Sequence, residues 1–235
     1  MPRGPLGAGV KNFRKGDRVL ISCITARGSC ANCKRQLYSH CTDGGWILGH
    51  LIDGTEAEYV RIPHADNGLY PIPQGADEEA LVMLSNILPT GFEIGVLTGQ
   101  VKPGNTVAIV DAVATLMRMT DDAGVDVAIE AVGIPATFDV CQKVVAPGGH
   151  IANVGVHGKS VELHLETPWI QNVTLTTGLV NTNTTPLLLK TVHSGKLSPA
   201  QRITHRCAPD DILKAYAVFG NAAQEKALKA ILAAA

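Results

Sequence analysis

The chain lacks several features that would fix its class at once. No run among its 235 residues reaches the roughly 18 consecutive apolar residues of a membrane-spanning helix. The opening Met1-Pro2-Arg3-Gly4-Pro5-Leu6 has no apolar core of a signal peptide behind it, so a cytoplasmic location is the expectation. Neither charge is in excess, 20 basic residues standing against 21 acidic ones, which favours neither nucleic acid nor an anionic membrane as partner. Six cysteines are too few to staple a chain of this length. No internal repeat or low-complexity linker interrupts it, and no His-x3-His or His-Glu-x2-His pair occurs. His64, His157, His164 and His205 are scattered, and solvated or core-satisfied rings are expected.

What is present is a 46% hydrophobic content, enough for a sizeable core. The first third is strand-rich and punctuated by glycine, with 17–22 and 55–63 as the clearest strands, which suggests a barrel-like lobe. From Asp77 the periodicity is helical, through 78–84 and, after Pro89, through 91–97. Short apolar β-branched runs then recur at 106–110, 125–131, 150–156 and 173–180, as in a parallel sheet buried on both faces. Residues 210–219 form an amphipathic helix pattern opened by an acidic cap, and the Ala-rich tail is helical on propensity alone.

The segment Thr106-Val107-Ala108-Ile109-Val110-Asp111-Ala112-Val113 is the most informative. It begins as the first strand of a dinucleotide-binding fold, which should run into G-x-G-x-x-G so that the pyrophosphate can approach the backbone at a helix N-terminus. Asp111 stands there instead. Its carboxylate can cap the helix N–H groups itself, and its charge repels phosphates. The connection 111–124 exceeds the roughly 10 to 12 residues of a right-handed βαβ crossover, and 112–120 can supply its helix. A crossover from 106–110 to 125–131 is therefore sterically possible.

Further segments carry a resemblance that covers nearly the whole chain. They are Lys15-Gly16-Asp17-Arg18-Val19, Cys30-x2-Cys33-x7-Cys41, Gly54-Thr55-Glu56-Ala57-Glu58-Tyr59-Val60, Leu88-Pro89-Thr90-Gly91-Phe92, Val101-Lys102-Pro103-Gly104, 125–133 and 147–156. In this order they resemble a zinc-dependent alcohol dehydrogenase of the medium-chain dehydrogenase/reductase family, in truncated and internally deleted form. The resemblance implies an α/β fold with a partial GroES-like β-barrel lobe (1–88 with 201–235) and a truncated, half Rossmann parallel sheet (89–200). A 3-2-1-4-5-6 strand order reduces to 1-4-5-6, so 106–110 is expected to pair in parallel with 125–131 and to become an apolar, aggregation-prone open edge, and the tail returns as a strand to the first lobe. The implied ancestral chemistry is hydride transfer between an alcohol and NAD or NADP. Thr90, Val132, Gly133, Val154, Gly155 and Val156 match positions lining the cofactor cleft, and His157 beyond them is a general base only with a substrate to act on.

The resemblance also identifies what is missing. The segment with the first catalytic zinc ligand, the Gly-His-Glu motif and the relay hydroxyl has no counterpart, and Asn86 occupies a place where an aspartate or cysteine is usual. A residue hydrogen-bonding locally at a helix end is the favoured reading of Asn86. The structural zinc site needs C-x2-C-x2-C-x7-C; Arg27 replaces the first cysteine, while Cys30, Cys33 and Cys41 keep their spacing. Cys23 could substitute only by rearrangement. Weak three-cysteine zinc binding and unligated reduced thiols both fit this pattern, with well under one tightly held zinc expected. Cys141 and Cys207 read as core or surface cysteines. The chain alone is thus expected neither to bind NAD(P) usefully nor to oxidise alcohols. Two alternatives stand beside this: a non-catalytic protein pairing with full-length relatives or a second copy through the 173–180 edge, or a damaged gene product without function. Substrate and cofactor preference are not legible.

Overall fold

The computed structural model describes residues 6–109 and 113–233. Val110, Asp111 and Ala112 lie outside the described residues, and with them the carboxylate expected to oppose phosphate. Eight strands lie among the described residues: β1 (Val19–Ile21), β2 (Leu69–Pro71), β3 (Val107–Ile109), β4 (Val125–Glu130), β5 (Val145–Asn153), β6 (Thr174–Thr177), β7 (His205–Cys207) and β8 (Ala230–Leu232). The chain divides into two compact units, one built from Met1–Pro89 with Asn181–Ala235 and the other from the continuous segment Thr90–Val180.

The continuous unit is a four-stranded parallel sheet in the order β3-β4-β5-β6. Strand β3 pairs in register with β4, Val107 opposite Val127 and Ile109 opposite Ile129, so the expected first and fourth strands are neighbours. Helix Val113–Met119 makes the crossover between them, within the expected 112–120. Helix Pro135–Val144 starts with proline at its first position, where the missing N–H costs nothing, and runs directly into β5 at Val145. These two helices cover one sheet face: Ala108, Val125, Ala128 and Ile151 pack with Phe138, Cys141 and Val144, and Leu116 and Met117 lie against them. On the opposite face Val127, Ile129 and Ala152 pack with Val101 and Val154. Gly91–Thr98 coils there as a widened helix, with the Gly99 N–H donating to the Ile94 carbonyl five residues back. Burial on both faces is why β4 is apolar at four of its six positions rather than alternating, with Asp126 exposed near its start.

Strand β3 is the outermost strand on its side, and Ile109 is 64% exposed. Replacing Ile109 with threonine keeps a β-branched residue at an exposed site, so stability should change by no more than about 0.5 kcal/mol, while self-association should slow. Light scattering at matched concentration measures this, and an unchanged association rate would show that the β3 edge is not the sticky surface.

The discontinuous unit has thinner sheets. Strands β1 and β2 are antiparallel, with Leu20 opposite Tyr70, and β7 and β8 form a separate parallel pair. Helix Glu78–Val82 begins at Asp77, whose Oδ1 accepts the Ala80 N–H at 3.1 Å. Buried Leu20, Ile24, Leu81 and Leu84 supply its apolar interior. Two expectations need correction. Residues 55–63 form no strand: Tyr59 is 61% exposed, and the stretch joins no ladder. Alternating apolar and polar residues make a strand only when a neighbouring backbone takes up the N–H and C=O groups. The helix Ile212–Gly220 is preceded by a tight turn, Pro209–Asp211, and the Asp211 side chain makes no capping bond. The tail does return as a strand, as the resemblance implies: it is briefly helical at Ala222–Glu225 before Ala230–Leu232 joins β7, so tertiary pairing overrides helix propensity. Among the described residues no helix is long and apolar enough to cross a membrane.

Candidate functional site

Two places in the chain gather polar chemistry. The first is the thiol cluster of the discontinuous unit. Cys30 caps the short helix Ala31–Lys34, its Sγ accepting the Cys33 N–H at 3.5 Å. The Asn32 side-chain amide donates to the His40 carbonyl at 2.6 Å and ties that helix to the turn before Cys41. As a result the sulfurs of Cys30, Cys33 and Cys41, all buried, lie within 4.8 Å of one another, with Cys30 and Cys33 at 3.4 Å. Tetrahedral zinc with Zn–S bonds near 2.3 Å places its sulfurs about 3.8 Å apart, so three corners of such a site are present. Amide donors from Cys33 and Thr42 hold the Cys30 thiol down at about 6, whereas burial pushes Cys33 up. Cys23 does not join this group of thiols.

Arg27, at the place of the first thiolate of the motif, comes to the cluster with its backbone. Its N–H donates to Cys41 Sγ at 3.4 Å, while its guanidinium is drawn to Asp43, 3.7 Å away. Among the described residues this is the one group of three or more His, Cys, Asp or Glu side chains placed to share a metal ion. Asn86 sits exposed in the turn before helix Ile87–Thr90. An amide there is a poor substitute for a carboxylate or thiolate ligand.

The second place is the carboxyl end of the parallel sheet. Val132 and Gly133 follow β4, and Val154, Gly155 and Val156 follow β5, so five of the six cleft residues meet at the strand ends where open α/β sheets bind ligands. Thr90 precedes the widened helix of the same unit. Val132 and Val156 are exposed, at 57% and 77%.

Beneath them lies Glu130, a fully buried carboxylate that in the sequence reads only as part of an apolar strand. Its Oε1 accepts from the Thr137 hydroxyl at 2.6 Å, the Gly133 N–H at 2.8 Å and the Val132 N–H at 2.9 Å. Its Oε2 has no hydrogen-bond partner and faces His157 Nε2 at 3.4 Å. Burial pushes the Glu130 carboxyl up, but Thr137, the two amides and the nearby His157 outweigh it and leave it below the usual range. Burial, with the Glu130 charge behind it, drives the Cys141 thiol up to about 12, which keeps it a core thiol. His157 Nε2 also meets Asn153 Oδ1 at 2.8 Å, and its ring stands edge-on to Phe138. It is a half-buried ring hydrogen-bonded to Asn153 and lying beside Glu130. The signal that could have identified Glu130 was a carboxylate closing the apolar stretch Val127-Ala128-Ile129 of a buried strand.

Comparison with known proteins agrees with this layout. Residues 5–74 match the family model for the alcohol dehydrogenase GroES-like domain, and residues 103–194 match that for zinc-binding dehydrogenase. An alcohol dehydrogenase of Cupriavidus necator is 26% identical, with 92% of this chain and 77% of that enzyme covered. That alignment runs over 296 positions, more than the chain's 235 residues, so it opens gaps in this sequence. An NADP-dependent isopropanol dehydrogenase of Thermoanaerobacter brockii is 27% identical over 204 residues, covering 66% of this chain and 58% of that enzyme. The solved apo structure of zinc dependent alcohol dehydrogenase 2 from Streptococcus pneumonia superposes with a TM-score of 0.90 at 45% identity, covering 98% of this chain and 80% of that one.

Proposed function

The chain belongs to the zinc-dependent medium-chain alcohol dehydrogenase family, and on that premise we propose that it is a non-catalytic member which alone neither holds NAD(P) nor oxidises alcohols. The observation that carries this reading is the edge position of β3. A dinucleotide in this fold lies across the crevice between two halves of the sheet, at the end of the first strand. Here the sheet stops at that strand, so one wall of the crevice is missing and the exposed Ile109 stands in its place. The residues Thr90, Val132, Gly133, Val154, Gly155 and Val156 are then what remains of the nicotinamide side.

Metal chemistry fits no better. Zinc in this family would polarise an alcohol oxygen, which needs three protein ligands and an open fourth position. Asn86 offers no such ligand, and the three clustered thiols leave no protein donor set for a second ion among the described residues. No hydride-transfer step is therefore assigned to this chain. These losses act in series, so restoring one would not restore turnover.

The purified chain is expected to give no saturable NAD(P)H fluorescence or calorimetric signal at micromolar cofactor, and no zinc-dependent reduction of NAD(P) with simple primary or secondary alcohols. Either signal would overturn the reading. A second reading rests on β6, the opposite edge strand, whose Leu175 is 38% exposed. Through it the chain would pair with a full-length relative or a second copy, and co-purification with a full-length dehydrogenase is the test that separates this role from a product without function.

A further inference from the structure

We infer that Cys30, Cys33 and Cys41 form a site for a thiophilic ion that completes its coordination with three thiolates, and that this chain has exchanged tetrahedral zinc for that chemistry. The three sulfurs are buried, within 4.8 Å of one another, and carried on a capped helix and a turn that the Asn32–His40 bond holds together. Among the described residues no fourth His, Cys, Asp or Glu joins the three sulfurs. At the place of the missing thiolate stands Arg27, whose N–H donates to Cys41 Sγ and whose guanidinium lies toward Asp43. A closed structural zinc site needs four donors; three thiolates beside a peptide N–H instead suit soft ions satisfied by sulfur alone.

Arsenite is the probe that reports such a site directly. Three S–H bonds and three As–OH bonds break, three As–S bonds form and three waters leave, with no change in oxidation state. No oxidant or further reactant is required. A disulfide between Cys30 and Cys33 would remove two of the sulfurs, so the chain is reduced first and handled without oxygen.

Intact mass spectrometry of the full reduced chain with one equivalent of arsenite should show one arsenic gained and three hydrogens lost. Thiol titration should fall by three of the six cysteines. Cys30→Ser, Cys33→Ser and Cys41→Ser should each weaken arsenite retention more than tenfold, and the thiol count of the unaltered chain tests the same point without relying on a variant's folding. In parallel, zinc loaded on the unaltered chain should be lost to a chelator, whereas Arg27→Cys should retain it. Arsenite blocking fewer than three thiols, or zinc held as firmly by the unaltered chain as by Arg27→Cys, would overturn the inference. Neither result depends on cofactor binding or turnover, so both are distinct from the tests of the non-catalytic reading.

Discussion

Replacing Gly155 with alanine is expected to destabilise the parallel-sheet unit by about 3 kcal/mol or more, at the upper end of what overpacking a folded interior does. A methyl group at this position would be driven into the Glu130 carboxylate and the Gly133 backbone, whose Cα lies 2.8 Å from where the Cβ would sit. Gly133 cannot retreat easily. Its own φ of +87° is in the left-handed region, and its Cα faces the Val156 backbone. The glycines after β4 and β5 thus allow two strand ends to close over a buried charge, a packing reason that holds with or without a cofactor. Gly158→Ala is the control, since its Cβ would meet nothing within 4 Å. Thermal unfolding followed by circular dichroism should separate the two variants by more than about 10 °C. Equal melting temperatures would mean that the strand ends yield, and that the close packing at Gly155 carries little of the stability.

Glu130 should give the second large effect. Glu130→Ala leaves the Val132 and Gly133 amides and the Thr137 hydroxyl without their shared acceptor. Three buried donors left unpaired, less what relaxation or water recovers, amount to about 3–5 kcal/mol. Glu130→Gln retains one oxygen acceptor and should lose less. The pH dependence has a defined sign. The folded carboxyl lies below its ordinary value, so its ionised form contributes stability that is fully present above the ordinary carboxylate range and lost as pH falls through the lowered folded value. The gap between the unaltered chain and Glu130→Gln should therefore be widest near neutral pH and narrow under acid conditions. Urea unfolding at a neutral and an acidic pH measures it, and a gap that widens on acidification would mean that the buried carboxyl is not ionised in the folded protein.

The parts of this fold legible in the sequence were those where local pattern and chain geometry agreed. The strand order implied by the family resemblance makes the β3 and β4 runs neighbours, the connection between them is long enough for a crossover helix, and Val107 does lie opposite Val127. The cysteine spacing likewise anticipated a cluster, because a two-residue gap on a helical turn brings Cys30 and Cys33 together. Features that depended on distant partners were not legible. Residues 55–63 alternate like a strand but have no ladder to join, and the tail's own composition reads as helix, so only the family resemblance anticipated its pairing with β7. Glu130 was missed for a related reason: its three donors lie after the strand and on the next helix, and their convergence exists only in three dimensions.

The division of the chain into one continuous and one discontinuous unit bears on its biosynthesis. Chains emerge from the ribosome N-terminus first, and domains fold as units once their residues are available. Thr90–Val180 is complete while the ribosome is still translating Asn181–Ala235. The lobe that begins the sequence must wait for that C-terminal stretch, which brings it Thr182 for Ser22 and the β7–β8 pair. The order of synthesis and the order of completion are therefore reversed. During that interval the nascent Cys30, Cys33 and Cys41 segment is out of the ribosome ahead of the sequence that finishes its lobe, and this is the stage at which a thiol-seeking ion or an oxidant would reach it most readily.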